Sequence, residues 1–234
     1  MDIKYIPRRR DDEINSFIND VRPHKNVLLV EGARQVGKTA LIEHALASCR
    51  KRLLCINFER ERRARSLIDQ CMDFSEFEEL LRDRYGFDGS SDQVLFIDEA
   101  QESEKLGGFV RFMKEDWPRA TVILSGSSLR RLFRVNVRYP VGRVKRLILA
   151  PFSFSEYLVA TGNEHLAALV RQVNPSISAT RHSHLLSLFD RFLLTGGLPA
   201  VVTHSANDLQ QADEIRAAIM VDYEDDFRRL FGDD

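Results

Sequence analysis

The chain has 234 residues, 44% of them apolar, which is enough to bury one sizeable α/β core and part of a second domain and which excludes global disorder. A net charge of −1 gives no bulk attraction to nucleic acid or membrane surfaces. Cys49, Cys55 and Cys71 form no Cys-x-x-Cys pair, so neither a disulfide framework nor a zinc site is expected; they read as buried, reduced thiols. The opening MDIKYIPRRR has no apolar stretch to serve as a leader, and no run approaches membrane-spanning length. The expectation is a cytoplasmic protein with no membrane partner.

In chain order, Asp11 and Asp12 precede Ile14, Phe17, Ile18 and Val21, the spacing of an amphipathic helix that Pro23 ends. NVLLVEG reads as a buried strand. A helix is expected from Lys38 to about Cys49, a second strand over Leu53–Glu59, and a charged, solvated connector over Arg60–Arg65. Phe74–Tyr85 reads as a helix, Gly86–Asp92 as a loop, and VLFIDEA as the third strand and its exit. A helix over Phe109–Glu115 stops near Pro118; TVILSGSS is the fourth strand, and a short helix follows from Ser128 to about Phe133. Arg143–Phe152 holds the fifth strand. Strands alternating with helices predict a parallel sheet covered on both faces. Beyond Ser153 the pattern is helical, with a loop over Asn174–Ser183 and a last helix over Asp208–Phe231. The predicted boundary therefore separates an α/β domain, 1–150, from a helical one, 151–234.

The stretch Gly32-Ala33-Arg34-Gln35-Val36-Gly37-Lys38-Thr39-Ala40 carries the spacing G-x-x-x-x-G-K-T. Chance produces that pattern in roughly one chain in a hundred of this length. Here it also stands between an apolar strand and an amphipathic helix. Gly32 is read as the sharp turn off the strand, and Gly37 as the position where backbone N–H groups approach phosphate without a Cβ in the way. Lys38 supplies a point charge for the β- and γ-phosphates, Thr39 a hydroxyl for Mg²⁺, and the helix that follows a positive N-terminus.

Asp98 follows four apolar residues, so it is expected at the C-terminal edge of the sheet, where open parallel sheets bind ligands. It reads as the Mg²⁺-holding acid, and Glu99 as the general base for water. Ser125 and Ser127 end another buried strand on the same edge; either could hydrogen-bond the γ-phosphate or the attacking water. Arg143, just before the fifth strand, is a candidate for stabilising charge on the γ-phosphate.

The ordered set GARQVGKTAL, VLFIDEAQ, VILSGSS, VGR with LAPFSFSEYL, and TGGLPAVV resembles the bacterial and archaeal predicted AAA+-type, STAND-like P-loop ATPases, over about Ile6 to Val202. These carry a C-terminal domain of uncertain function. The resemblance implies a three-layer α/β/α fold with strand order 5-1-4-3-2. It implies ATP or ADP with Mg²⁺, Lys38 and Thr39 on phosphate and metal, Asp98 on metal and Glu99 as base. It also implies Ser127 as the sensor serine and Arg143 as a sensor or finger, in cis or in trans. Such proteins run longer than this chain, so the second domain is expected to be truncated.

The expected function is an Mg²⁺-dependent ATPase acting as a switch, with a homo-oligomer or protein partner. The rival readings are a nucleotide-gated scaffold with little hydrolysis, associated with DNA, and a small-molecule kinase. The DNA reading rests on the acid-free stretch from Arg119 to Arg146, with eight Arg or Lys and few aromatics. His182 and His184 read as surface residues, and the acids from Asp222 to Asp226 as an exposed face paired with Arg228 and Arg229.

Overall fold

The computed structural model describes residues 5–90, 92–133, 139–172, 176–205 and 209–231. Arg134 and Arg138 of the basic stretch lie outside them, as do Ser91, Asn174, Pro175 and Asp208 of the predicted loops and last helix.

The strands are β1 (Val27–Glu31), β2 (Arg52–Asn57), β3 (Gln93–Asp98), β4 (Thr121–Gly126) and β5 (Val144–Ile148). They form a parallel sheet in the order β2-β3-β4-β1-β5, the predicted 5-1-4-3-2 read from the other edge. The connecting helices are α1 (Asp11–Asn19), α2 (Lys38–Ala47), α3 (Arg62–Gln70), α4 (Phe74–Tyr85) and α5 (Leu106–Glu115). Strand side chains alternate between faces. Val27, Leu29, Ile56, Leu95, Ile97, Val122 and Leu124 share one core with α3, α4 and α5. The buried faces of α1 and α2 stand outside that core; these two helices pack together, and α2 lies against β4.

Local chemistry accounts for the best-defined helix. Asp73 caps α4 by accepting a hydrogen bond from the Glu76 N–H, and Gly86 ends it in left-handed backbone, φ 61°. Two expectations are corrected. The charged connector at Arg60–Arg65 is in large part the start of α3, whose exposed arginines hide a two-residue buried stripe, Ala64 and Ile68. Cys55 is exposed, whereas Cys71 is buried.

Arg10–Ala33 and Lys38–Leu149 make up one compact unit, and the other described residues a second. The second unit contains α6 (Phe154–Ala160), α7 (Glu164–Val170), α8 (Ala179–Thr195), α9 (Pro199–Ser205) and α10 (Leu209–Phe231). α8 begins inside the predicted loop, because the Ser178 side chain accepts from the Arg181 N–H and caps it. The start of α6 is tied by a capping box between Ser153 and Glu156. Glu156 also pairs with Arg8, whose guanidinium lies over the Phe152 ring. His182 and His184 are exposed on α8.

Candidate functional site

Parallel register sets the site. Asn57 stands beside Asp98, and Glu31 beside Gly126, so the C-terminal ends of β1, β2, β3 and β4 form one edge. The 32–37 loop leaves β1 at this edge and runs into α2. Its left-handed positions are Gln35 (φ 60°) and Gly37 (φ 90°) rather than Gly32. Left-handed backbone at two of three successive positions is the geometry of an anion nest. Arg34 and Val36 also turn carbonyls outward: Tyr223 Oη donates to Arg34 O at 2.8 Å, and Arg8 Nη1 to Val36 O at 2.7 Å. Gln35 Nε2 reaches Asp222 Oδ2 at 3.1 Å. Ala33 and Ala40 are exposed. Lys38 is buried, and its ammonium donates back to Gly32 O (2.9 Å) and Ala33 O (3.0 Å).

Asp98 is only 3% exposed and is held from several directions. Thr39 Oγ1 donates to its Oδ2 at 2.7 Å, and Asn57 Nδ2 to the same oxygen at 3.0 Å. Ser125 Oγ donates to Oδ1, and so does the Glu99 N–H, at 3.1 Å. The hydroxyl and the carboxylate predicted to serve one metal are therefore hydrogen-bonded to each other. Their chemistry suits Mg²⁺, which takes hard oxygen ligands, keeps several waters and uses one or two protein carboxylates with substrate phosphates. Among the described residues no cluster of three or more His, Cys, Asp or Glu could hold a metal.

Glu99 adopts left-handed backbone, φ 51°, directly after β3. Its Oε2 accepts from Gln101 Nε2 at 2.6 Å. Gln101 lies in the 3-10 turn Ala100–Glu102 and is 4% exposed; its Oε1 is buried with no hydrogen-bond partner among the described residues. An unpaired buried carbonyl costs about 1–3 kcal/mol.

Ser127 follows β4 on the same edge, but the serine on Asp98 is Ser125, fully buried. Arg143 is not with the others. Its carbonyl accepts from the Val27 N–H at 2.9 Å, at the N-terminal edge of the sheet, about 13 Å from the loop by the rise of a five-residue strand. Its guanidinium pairs with Glu115 at 2.9 Å and holds that carboxyl below its usual range. A role for Arg143 at this chain's own phosphate site is thereby corrected: the intervening strand is too long for the side chain to reach past it. Asn57, Ser125 and Gln101 were not assigned these contacts from sequence. The available signal was a polar residue closing each apolar strand.

Residues 24–158 match the family described as AAA domain. The chain belongs to that family. The AAA domain is a nucleotide-binding module of ATPase type, with the five-stranded parallel sheet and flanking helices described above. None of the curated proteins matches the chain. Among solved structures, it is similar to a chain of the Drosophila ORC bound to DNA, with TM-score 0.55 and 14% identity, covering 89% of this chain and 66% of that one. It is also similar to a structure of katanin self-assembly, with TM-score 0.49 and 13% identity, covering 85% and 66%. The chain thus spans just under two thirds of each, and at these identities the ORC likeness shows the fold alone. No described helix is long and apolar enough to cross a membrane.

Proposed function

We propose that this chain binds ATP with Mg²⁺, hydrolyses it to ADP and phosphate, and works as a nucleotide-driven switch. The observation that carries the reading is the Thr39–Asp98 hydrogen bond of 2.7 Å at the mouth of a P-loop, with Glu99 one residue further on. Thr39 Oγ1 would hold Mg²⁺ directly and Asp98 through water; the ion would neutralise charge on the phosphate oxygens. Lys38 gives up its loop carbonyls for the β- and γ-phosphates, and the N–H groups of the 34–37 loop cradle them. Glu99 takes the proton of the attacking water. Ser127 hydrogen-bonds the γ-phosphate. The moving part is the helical region after Ala150. In support, α10 is fastened to the phosphate loop by Tyr223, so a change at Arg34 is felt there directly.

The test is phosphate release from ATP and Mg²⁺. Lys38→Ala is expected to abolish nucleotide binding and turnover. Glu99→Gln is expected to bind ATP with a kcat lowered about 10²- to 10⁴-fold. Undiminished turnover in Glu99→Gln would remove it as the base. A second reading, a nucleotide-gated scaffold that is slow alone, is favoured by the position of Arg143. An arginine at the far edge of its own sheet serves a phosphate only on another copy. Turnover that climbs with protein concentration supports that reading, and a rise on adding double-stranded DNA would name DNA as the activator. Transfer of phosphate to an added metabolite without phosphate release would favour the kinase reading instead.

A further inference from the structure

We propose that Gln101 is a positioning residue that fixes the carboxylate of Glu99 for attack by water, and that Gly126 exists to leave room for it. The inference rests on the reading of Glu99 as general base. It joins two stretches that the sequence shows apart, DEAQ and SGSS, into one device.

Three observations meet at Gln101. Its Nε2 donates to Glu99 Oε2 at 2.6 Å, the short length of a charge-assisted hydrogen bond. Its side chain is almost fully buried, so the amide has few other places to go. It also lies against the end of β4 so closely that a Cβ on Gly126 would stand 1.8 Å from Gln101 Oε1 and 2.9 Å from Leu129 Cδ2. Gly126 has no left-handed backbone, so turn geometry does not require a glycine there. A Cβ there would instead push the Gln101 amide out of its place.

The same packing leaves Gln101 Oε1 without a hydrogen-bond partner among the described residues. A leucine or methionine would fill this space with no buried polar atom to satisfy, so packing alone does not call for glutamine. What the amide adds is its N–H on Glu99. The hydrogen bond holds Oε2 of a carboxylate that stands one residue beyond β3 on left-handed backbone. Neighbouring residues of β4 thus serve neighbouring acids. Ser125 holds Asp98, and Gly126 admits the group that holds Glu99.

The experiment is steady-state phosphate release by Gln101→Met, which keeps the length and removes the donor, with ADP affinity and melting temperature measured alongside. The expected result is a kcat about 10- to 100-fold lower with KM and ADP affinity unchanged. The melting temperature should be no lower than that of the parent, because the unpaired carbonyl goes with the amide. Gly126→Ala, which displaces the amide without altering it, should show the same split. On a Glu99→Gln background, Gln101→Met should cause no further loss, since the two act as one unit. Unchanged kcat in a folded Gln101→Met protein overturns the proposal, as do a parallel loss of ADP affinity and a full additional loss on the Glu99→Gln background. If Glu99→Gln itself turns over normally, the general-base reading fails first. If Glu99→Gln is inactive and Gln101→Met is not, only the role of Gln101 fails.

Discussion

Asp98 is buried, and its carboxyl oxygens accept from Thr39, Asn57, Ser125 and the Glu99 N–H. In the Mg²⁺ role proposed for Asp98, such partners would orient the acid, and losing one typically costs about 10- to 100-fold in metal affinity or activity. Ser125→Ala should therefore raise the Mg²⁺ needed for half-maximal phosphate release about tenfold, while kcat at saturating Mg²⁺ stays close to that of the parent. A Mg²⁺ titration reads this directly, and an unchanged midpoint would show Ser125 to be packing only. The placement of both acids at the sheet edge was legible in the sequence, because an apolar run ending in Asp-Glu reads as a buried strand that delivers them there. Their holders were not. Ser125 meets Asp98 because it is still inside β4, one residue after the Ile97–Leu124 pair, whereas Ser127 lies beyond the strand; Asn57 meets it because β2 and β3 pair with those two residues abreast. Register of this kind is settled by pairing across the sheet.

At the level of elements, the N-terminus of α6 shows how a short helix is held. Ser153 and Glu156 close a capping box, and Glu156 Oε1 accepts from Arg8 Nε (3.1 Å) and the Arg9 N–H (2.8 Å). Burial would raise the Glu156 carboxyl. The N–H groups of Ser153 and Arg9, the Ser153 hydroxyl and the Arg8 guanidinium outweigh it and bring the group below its ordinary 4.5. A carboxyl lowered on folding stabilises the protein fully above about pH 4.5, and that contribution is lost as pH falls through the folded value. Melting curves between pH 3 and 7 should show the stability gap between parent and Glu156→Gln narrowing below pH 4.5. A gap independent of pH would mean that the charge contributes nothing. Arg8→Ala, which strands a buried carboxylate, should cost about 3–5 kcal/mol at neutral pH by denaturant titration. Elements with strong caps or apolar faces were read well, α4 to the residue. α3 stands where a charged connector was expected because its sequence is dominated by exposed arginines.

For the whole molecule, alternation of strands and helices implied a parallel sheet, but nothing in periodicity dictates which strand lies beside which. The order came with the family resemblance, and the structure has it. That order is also what separates Arg143 from the phosphate loop. β5 lies beside β1 and runs parallel to it, so the residue before β5 stands at the edge where β1 begins, while the loop stands where β1 ends. An arginine so placed either anchors Glu115 or serves a neighbour's nucleotide, and mixing two defective proteins separates these roles. Lys38→Ala keeps Arg143 but cannot use ATP; Arg143→Ala keeps its own site but offers no arginine. If the arginine acts across copies, Arg143→Ala alone should turn over about 10³-fold or more below the parent, the scale of a missing arginine finger. Adding Lys38→Ala protein should then restore part of the activity in proportion to its concentration. If Arg143 serves only Glu115, the Arg143→Ala protein should lose stability rather than turnover, and no mixture should exceed the sum of its parts.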